Sequence, residues 1–311
     1  MIGTTDTRKP EYVFAFFRDL NVDSQGNLFV VDQTFGEVRV FDSSGVYLRT
    51  IPVPRGVRTP ASVALGDSGD VYLLDQHGKT VYHLDPAGRI VGQFRINFWG
   101  WWLRRLGARL YISSFPYYAK QTPRLVHVYS RDGRHLFDFC EPRPNTSVER
   151  EYTGGYNGFL TRCGELLVFA FGYPFDLRAF RRDGHLTSRV EWQPPFYGRI
   201  LDPPPGVRAP KKWWSGFCIG LSGLGPDRVA VLLADVERMK PLLYVVQLSS
   251  GQIRGACRPF RIHDRRSSHA DGRRWERRAI FCGVQAISDD CEVRSRGSGT
   301  LSGGRAKAQA G

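Results

Sequence analysis

A repeated phrase constrains this chain more than its composition does. Asn21 to Asp32 reads NVDSQGNLFVVD, and Ala64 to Asp75, forty-three residues later, reads ALGDSGDVYLLD. Each runs from a short apolar piece through a Gly turn into an alternating strand that ends on Asp. A second marker extends the pattern: a tight turn closing on Gly45, Gly88, Gly133, Gly184 and Gly251, at intervals of 43, 45, 51 and 67 residues. Strands such as EVRVF, TVYHL and LVHVY precede these turns, and VYLRTI, RIVGQF and RHLFDF follow them. Gly, Asp and Ser are the residues that make tight hairpin turns. Two further strands lie upstream in each unit, which gives four short strands per unit.

Four antiparallel strands every 40 to 50 residues predict the blades of a β-propeller. A single blade cannot bury both of its faces, so neighbours must stack on it. The fold class is therefore all-β, with five blades readable at 18–51, 60–95, 97–140, 155–192 and 213–257. Helix-period segments are essentially absent, which argues against α/β alternatives. Apolar residues make up 41% of the 311 and aromatic residues 13%, enough to fill such a stacked core.

The stretch DLNVDSQGNLFVVDQTFGEVRVFDSSGVYLRTI, with its Val-x-Asp-x-x-Gly-Asn segment and its VRVFDSSG strand and turn, resembles an NHL-type repeat. More broadly, residues 10–257 resemble bacterial six-bladed β-propeller proteins with NHL-like blades. Blades three to five keep the strand order but lose the Asp-x-x-Gly-Asn signature. The resemblance implies six blades, a ring closed by the N-terminal strand, and frequent export of the relatives. It implies little about function, because such propellers include binding modules, lactonases and lyases. The expected organisation is a propeller over 1–257 whose closing strand is cut short at the start. Residues 258–311 then form an Arg-rich tail, read as a disordered basic arm or as an out-of-frame segment in place of blade six.

The net charge of +14 invites a nucleic-acid reading. Of the 44 basic residues only 7 are Lys, a bias that GC-rich coding produces without functional cause. Residues 258–311 alone carry 12 basic and 6 acidic residues. Binding of nucleic acid or an acidic partner is accordingly expected only through that tail and the basic rim. Six Cys with no CxxC pair predict buried free thiols rather than a disulfide scaffold or zinc site. No apolar run is long enough to span a membrane. The first residues lack a signal-peptide core. As written, the start suggests the cytoplasm, whereas the resemblance favours export.

Strand order also orients the loops. First-to-second and third-to-fourth turns share one face and are short throughout. The opposite face carries the insertions 52–60, 114–124, 141–156, 193–214 and 234–242, which are rich in aromatic and basic residues. Long loops on a rigid scaffold are where binding concentrates. The candidate ligand-binding residues are Tyr117, Tyr118, Arg124, Trp213, Trp214 and Arg238 in these loops. Arg18, Asp19, Trp101, Tyr156 and Asn157 join them at the starts of the innermost strands. Aromatic faces and Arg forks suit an anionic, sugar-like or peptide ligand, or a protein partner.

Catalysis is harder to read. Inner-strand starts offer Asp19, Asn21 and Asn157 as cation ligands but no Glu, and the seven His fall elsewhere. No nucleophile sits beside a base. The expectation is thus a non-catalytic binding propeller, with no cofactor, no metal and no catalytic residue assigned. Its alternative is a channel-centred, metal-dependent hydrolase or lyase.

Overall fold

The computed structural model describes residues 8–114, 124–142, 158–172, 174–194, 196–197, 200–201, 213–214, 216–235, 238 and 240–255. The chain divides into two compact units, Met1–Pro142 and Arg143–Gly311. Both are all-β, and together they carry five four-stranded antiparallel blades of the propeller type, each in simple strand order.

The first unit holds three blades. Blade 1 is β1 (Phe17–Val22), β2 (Leu28–Asp32), β3 (Glu37–Phe41) and β4 (Tyr47–Pro52). Blade 2 is β5 (Pro60–Leu65), β6 (Val71–Asp75), β7 (Thr80–Leu84) and β8 (Ile90–Arg95). Blade 3 is β9 (Gly100–Leu106), β10 (Arg109–Ser114), β11 (Val126–Ser130) and β12 (His135–Phe139). The boundaries agree with the spans read from the repeat to within a few residues.

The second strands explain the stacking. β2 and β6 are buried at every position. Alternate side chains of β6 point to opposite faces. Val71 and Leu73 pack with Phe29, Val31 and Val38 of blade 1, while Tyr72 and Leu74 pack with Leu103, Leu110 and Ile112 of blade 3. Outer strands sit at the rim, and β8 leaves Ile90 and Val91 about half exposed.

The repeated Gly turn has a second role beyond φ. Gly133 sits at φ +88°, and a Cβ there would fall 2.3 Å from Phe94 Cβ on β8 of the preceding blade. At Gly88, φ +82°, a Cβ would meet Pro52 of β4. These two turns are therefore seated against the preceding blade's outer strand, so Gly is required there for close approach as well as for conformation.

The repeated Asp that ends the second strand is a clamp. Asp32, fully buried, accepts N–H bonds from Ala15 (2.9 Å), Phe16 (3.3 Å), Thr34 (3.0 Å) and Phe35 (3.1 Å). Asp75 accepts from Arg58 (3.1 Å) and Thr59 (3.0 Å). The Asp32 carboxylate thus ties a second-to-third turn to the segment that leads into the inner strand, and Asp75 holds the corresponding lead-in of blade 2. Before β1 that segment includes the 3₁₀ turn Pro10–Tyr12. Tyr12 and Phe14 stack near Phe41, at 5.6 and 6.1 Å, and the Arg39 guanidinium holds Val13 and Glu11 by their carbonyls. The lead-in is thereby strapped to blade 1.

The second unit holds blade 4, β13 (Gly158–Cys163), β14 (Leu166–Phe171), β15 (Asp176–Phe180) and β16 (Leu186–Glu191). Two residues each from Ile200–Leu201 (β17) and Trp213–Trp214 (β18) form a ribbon inside the long insertion, which the repeat did not foreshadow. Blade 5 is β19 (Gly216–Gly223), β20 (Arg228–Asp235), β21 (Lys240–Gln247) and β22 (Ile253–Gly255). Its core joins Val168, Leu177 and Val190 of blade 4 to Val229, Val231 and Leu233 of blade 5. Phe196 and Tyr197, aromatics of the long insertion, are buried in that core. Cys140, Cys163 and Cys218 are buried, and burial pushes the Cys163 and Cys218 thiols up to about 11 and about 12. The sixth blade implied by the resemblance is not among the described residues, and 258–311 lie outside them.

Candidate functional site

The inner strands of blades 1 to 3 bring a polar group together. Each starts with a register shift: between Phe17 and Asp19 on β1, between Pro60 and Ser62 on β5, and opposite Ser114 and Ile112 on β9. A bulge re-aims side chains at the strand start. By register, Arg18, Ala61 and Trp101 are equivalent positions, as are Asp19, Ser62 and Trp102.

Asp19 is 3% exposed and fully engaged. Arg104 grips it with both forks, Nη1 to Oδ2 at 2.8 Å and Nη2 to Oδ1 at 3.0 Å. The Ser62 hydroxyl also donates to Oδ2, with the Val63 N–H at 3.1 Å, and the Leu20 N–H reaches Oδ1 at 2.9 Å. Ser62 in turn accepts the Leu103 N–H at 2.9 Å. Three inner strands are thus pinned by one buried ion pair whose remaining acceptor sites are hydrogen-bonded, the condition for such a pair to be tolerated. Because both Asp19 oxygens are occupied, this carboxylate has little left to offer a ligand.

Arg18, one residue earlier, is different. Its guanidinium lies 4.3 Å over the Trp101 ring, and its Nε is buried without a hydrogen-bond partner. Burial lowers its pKa, opposed by the charge of Asp19. Asp19 is already paired with Arg104, so among the described residues the cluster carries one positive charge more than its negative charges. A partly desolvated guanidinium over an indole suits a carboxylate or phosphate.

The other expected residues are placed as follows. Arg124 pairs with Glu141 at the rim of blade 3. Arg238 is exposed and caps Asp235, Nη1 to Oδ2 at 3.2 Å. Trp213 and Trp214 lie on β18, paired with Leu201 and Ile200. Tyr117, Tyr118, Tyr156 and Asn157 lie outside the described residues. Of the eleven, the structure brings together Arg18, Asp19 and Trp101. A shallow cleft at the second-to-third turn of blade 2, lined by Arg58, Asp75, His77, Tyr82 and Arg95, is a weaker candidate, since Asp75 already clamps backbone N–H groups.

Arg104 was missed by sequence reasoning. Its signal is a charged residue inside the inner strand GWWLRRL, where the equivalent residues of blades 1 and 2 are Asn21 and Ala64. Also missed was the group His127, His135 and Asp138, which the β11–β12 hairpin register brings together.

No protein-family model matches the chain, and no curated protein matches it in sequence. Solved structures do resemble it. A selenomethionine-substituted virginiamycin B lyase from Staphylococcus aureus aligns with a TM-score of 0.51 at 14% identity, covering 79% of this chain and 71% of that one. A putative exported protein from Bacteroides fragilis NCTC 9343 aligns with a TM-score of 0.52 at 11% identity, covering 82% and 73%. At such identities the likeness speaks to architecture and not to activity. Taken with the five blades, it identifies the chain's fold as a β-propeller.

Proposed function

We propose that the chain is a non-catalytic binding propeller that takes an anionic group at the start of its inner strands, on the loop-rich face. The observation that carries this reading is the Arg18 guanidinium, stacked on Trp101 with Asp19 already neutralised by Arg104. Arg18 would fork onto the anion, and Trp101 would hold the fork in place. A carboxylate-bearing small molecule, an acidic sugar or an acidic peptide side chain has the required chemistry. The NHL-type character of the blades, a sixth blade and export belong to the same proposal; the first rests on the resemblance of residues 19–51 and the other two on the broader resemblance of residues 10–257. The hydrolase or lyase alternative needs cation ligands at the inner-strand starts. It is weakened there by the full engagement of Asp19. No observation favours nucleic-acid binding by residues 258–311.

The test is a thermal-shift panel on the full chain with citrate, glucuronate, inorganic phosphate and uncharged glucose. At least one anion should raise the melting temperature in a dose-dependent way while glucose does not. A flat response to all three anions, or an equal response to glucose, would contradict the proposal.

A further inference from the structure

Outside the inner-strand cluster, blade 3 carries a group with metal-binding chemistry. His127 on β11 and Asp138 on β12 are directly paired across the hairpin, and His135 lies on the same strand as Asp138. His127 Nδ1 is 2.8 Å from Asp138 Oδ1, and His135 Nε2 is 2.7 Å from the same oxygen. The candidate ligand atoms of the three residues all lie within 4.8 Å of one another. We propose that His127, His135 and Asp138 form a site for a divalent transition-metal ion of the zinc class.

Several features favour a cation over a purely structural hydrogen-bonded trio. The two imidazoles crowd onto one carboxylate oxygen, while Oδ2 of Asp138 accepts no hydrogen bond among the described residues. The His127 ring is preset: it is 3% exposed, stacked on Phe98 at 3.9 Å, and engaged only through Nδ1, since its Nε2 has no partner. His135 and Asp138 are 48% and 30% exposed, so the site opens to solvent on that side. Tetrahedral zinc with bonds of about 2.0–2.1 Å needs ligand atoms about 3.3 Å apart. Opening the two short contacts by roughly half an ångström and bringing the two imidazole nitrogens to the same spacing meets that requirement, and rotation of the two exposed side chains supplies both.

Two imidazole nitrogens and one carboxylate select zinc, cobalt, nickel or copper over magnesium or calcium, which prefer all-oxygen sites. Three protein ligands leave one position for water. On binding, the protons that the two rings direct at Oδ1 move to their other nitrogens by exchange with solvent, with no net proton released from neutral rings. The ion would clip the outer hairpin of blade 3, joining β11 to β12 at the blade rim.

The experiment is a titration of the full chain with Co²⁺, followed by visible d–d absorption, with Zn²⁺ added as competitor. The wild type should develop a tetrahedral-type spectrum that Zn²⁺ abolishes. His135→Ala and Asp138→Asn change exposed side chains, so both should keep the wild-type circular dichroism. Both should weaken cobalt binding by at least about tenfold. Zn²⁺ should raise the melting temperature of the wild type and not of His135→Ala. A wild type with no cobalt spectrum would overturn the proposal. So would a His135→Ala variant with unchanged cobalt affinity, which would assign the metal to other residues.

Discussion

At the residue scale, one residue type does two separate jobs here. Asp32 and Asp75 repeat because each clamps backbone N–H groups of the segment that leads into the inner strand, and Asp32 also holds its own second-to-third turn. Asp19 does not repeat, because it is the counter-ion of Arg104. The clamp has a measurable consequence. Asp32→Ala removes the acceptor of four buried or part-buried N–H bonds. Hydrogen bonds to a charged group contribute about 1.5–3 kcal/mol each in favourable cases, and the lead-in can partly rehydrate. The net loss should therefore be roughly 3 kcal/mol. Urea denaturation checks it, and Asp32→Asn, which keeps one acceptor oxygen, should lose less. A midpoint for Asp32→Ala equal to the wild type would show that the clamp contributes nothing. The Asp at the end of each second strand was visible in the sequence as a pattern. Its partners were not, because they are backbone groups brought in by chain reversal.

At the element scale, the blades were legible because hairpins are local. Turn residues, strand length and order all lie within about forty residues, whereas LFVVD and VYLLD, read as alternating strands, proved buried at every position. The β17–β18 ribbon was not legible, since its two-residue strands sit among prolines and lack any alternating pattern. The seating of the Gly88 and Gly133 turns on the preceding blade was also hidden, because it depends on how blades stack. That seating separates two glycines with similar backbones. Gly133→Ala combines a left-handed residue with a Cβ driven into Phe94, whereas Gly107, φ +59°, faces open space. Gly107→Ala should lose about 1 kcal/mol, from conformation alone. Gly133→Ala should lose roughly 2–3 kcal/mol, because overpacking adds to it. Equal losses in denaturant melts would remove the close-approach argument.

At the scale of the whole molecule, a net charge of +14 says less than where single charges are left uncompensated. Several described Arg residues are in ion pairs: Arg104 with Asp19, Arg178 and Arg189 with Asp176, Arg105 and Arg131 with Asp67. Arg18 is stacked on Trp101 instead. The sequence pointed to Arg18 and Trp101 separately, as inner-strand starts, but not to their contact or to Arg104, which meets Asp19 from 85 residues away. Contacts between blades are set by register and bulges, neither of which the repeat pattern specifies.

The direct test of this account is isothermal titration of citrate into the full chain at low ionic strength, for the wild type and Arg18→Gln. The account predicts one-to-one binding to the wild type. Arg18→Gln should bind at least about tenfold more weakly, a loss of about 1.4 kcal/mol, with an unchanged melting temperature. Equal citrate affinities for the two proteins would contradict the assignment of the anion to Arg18.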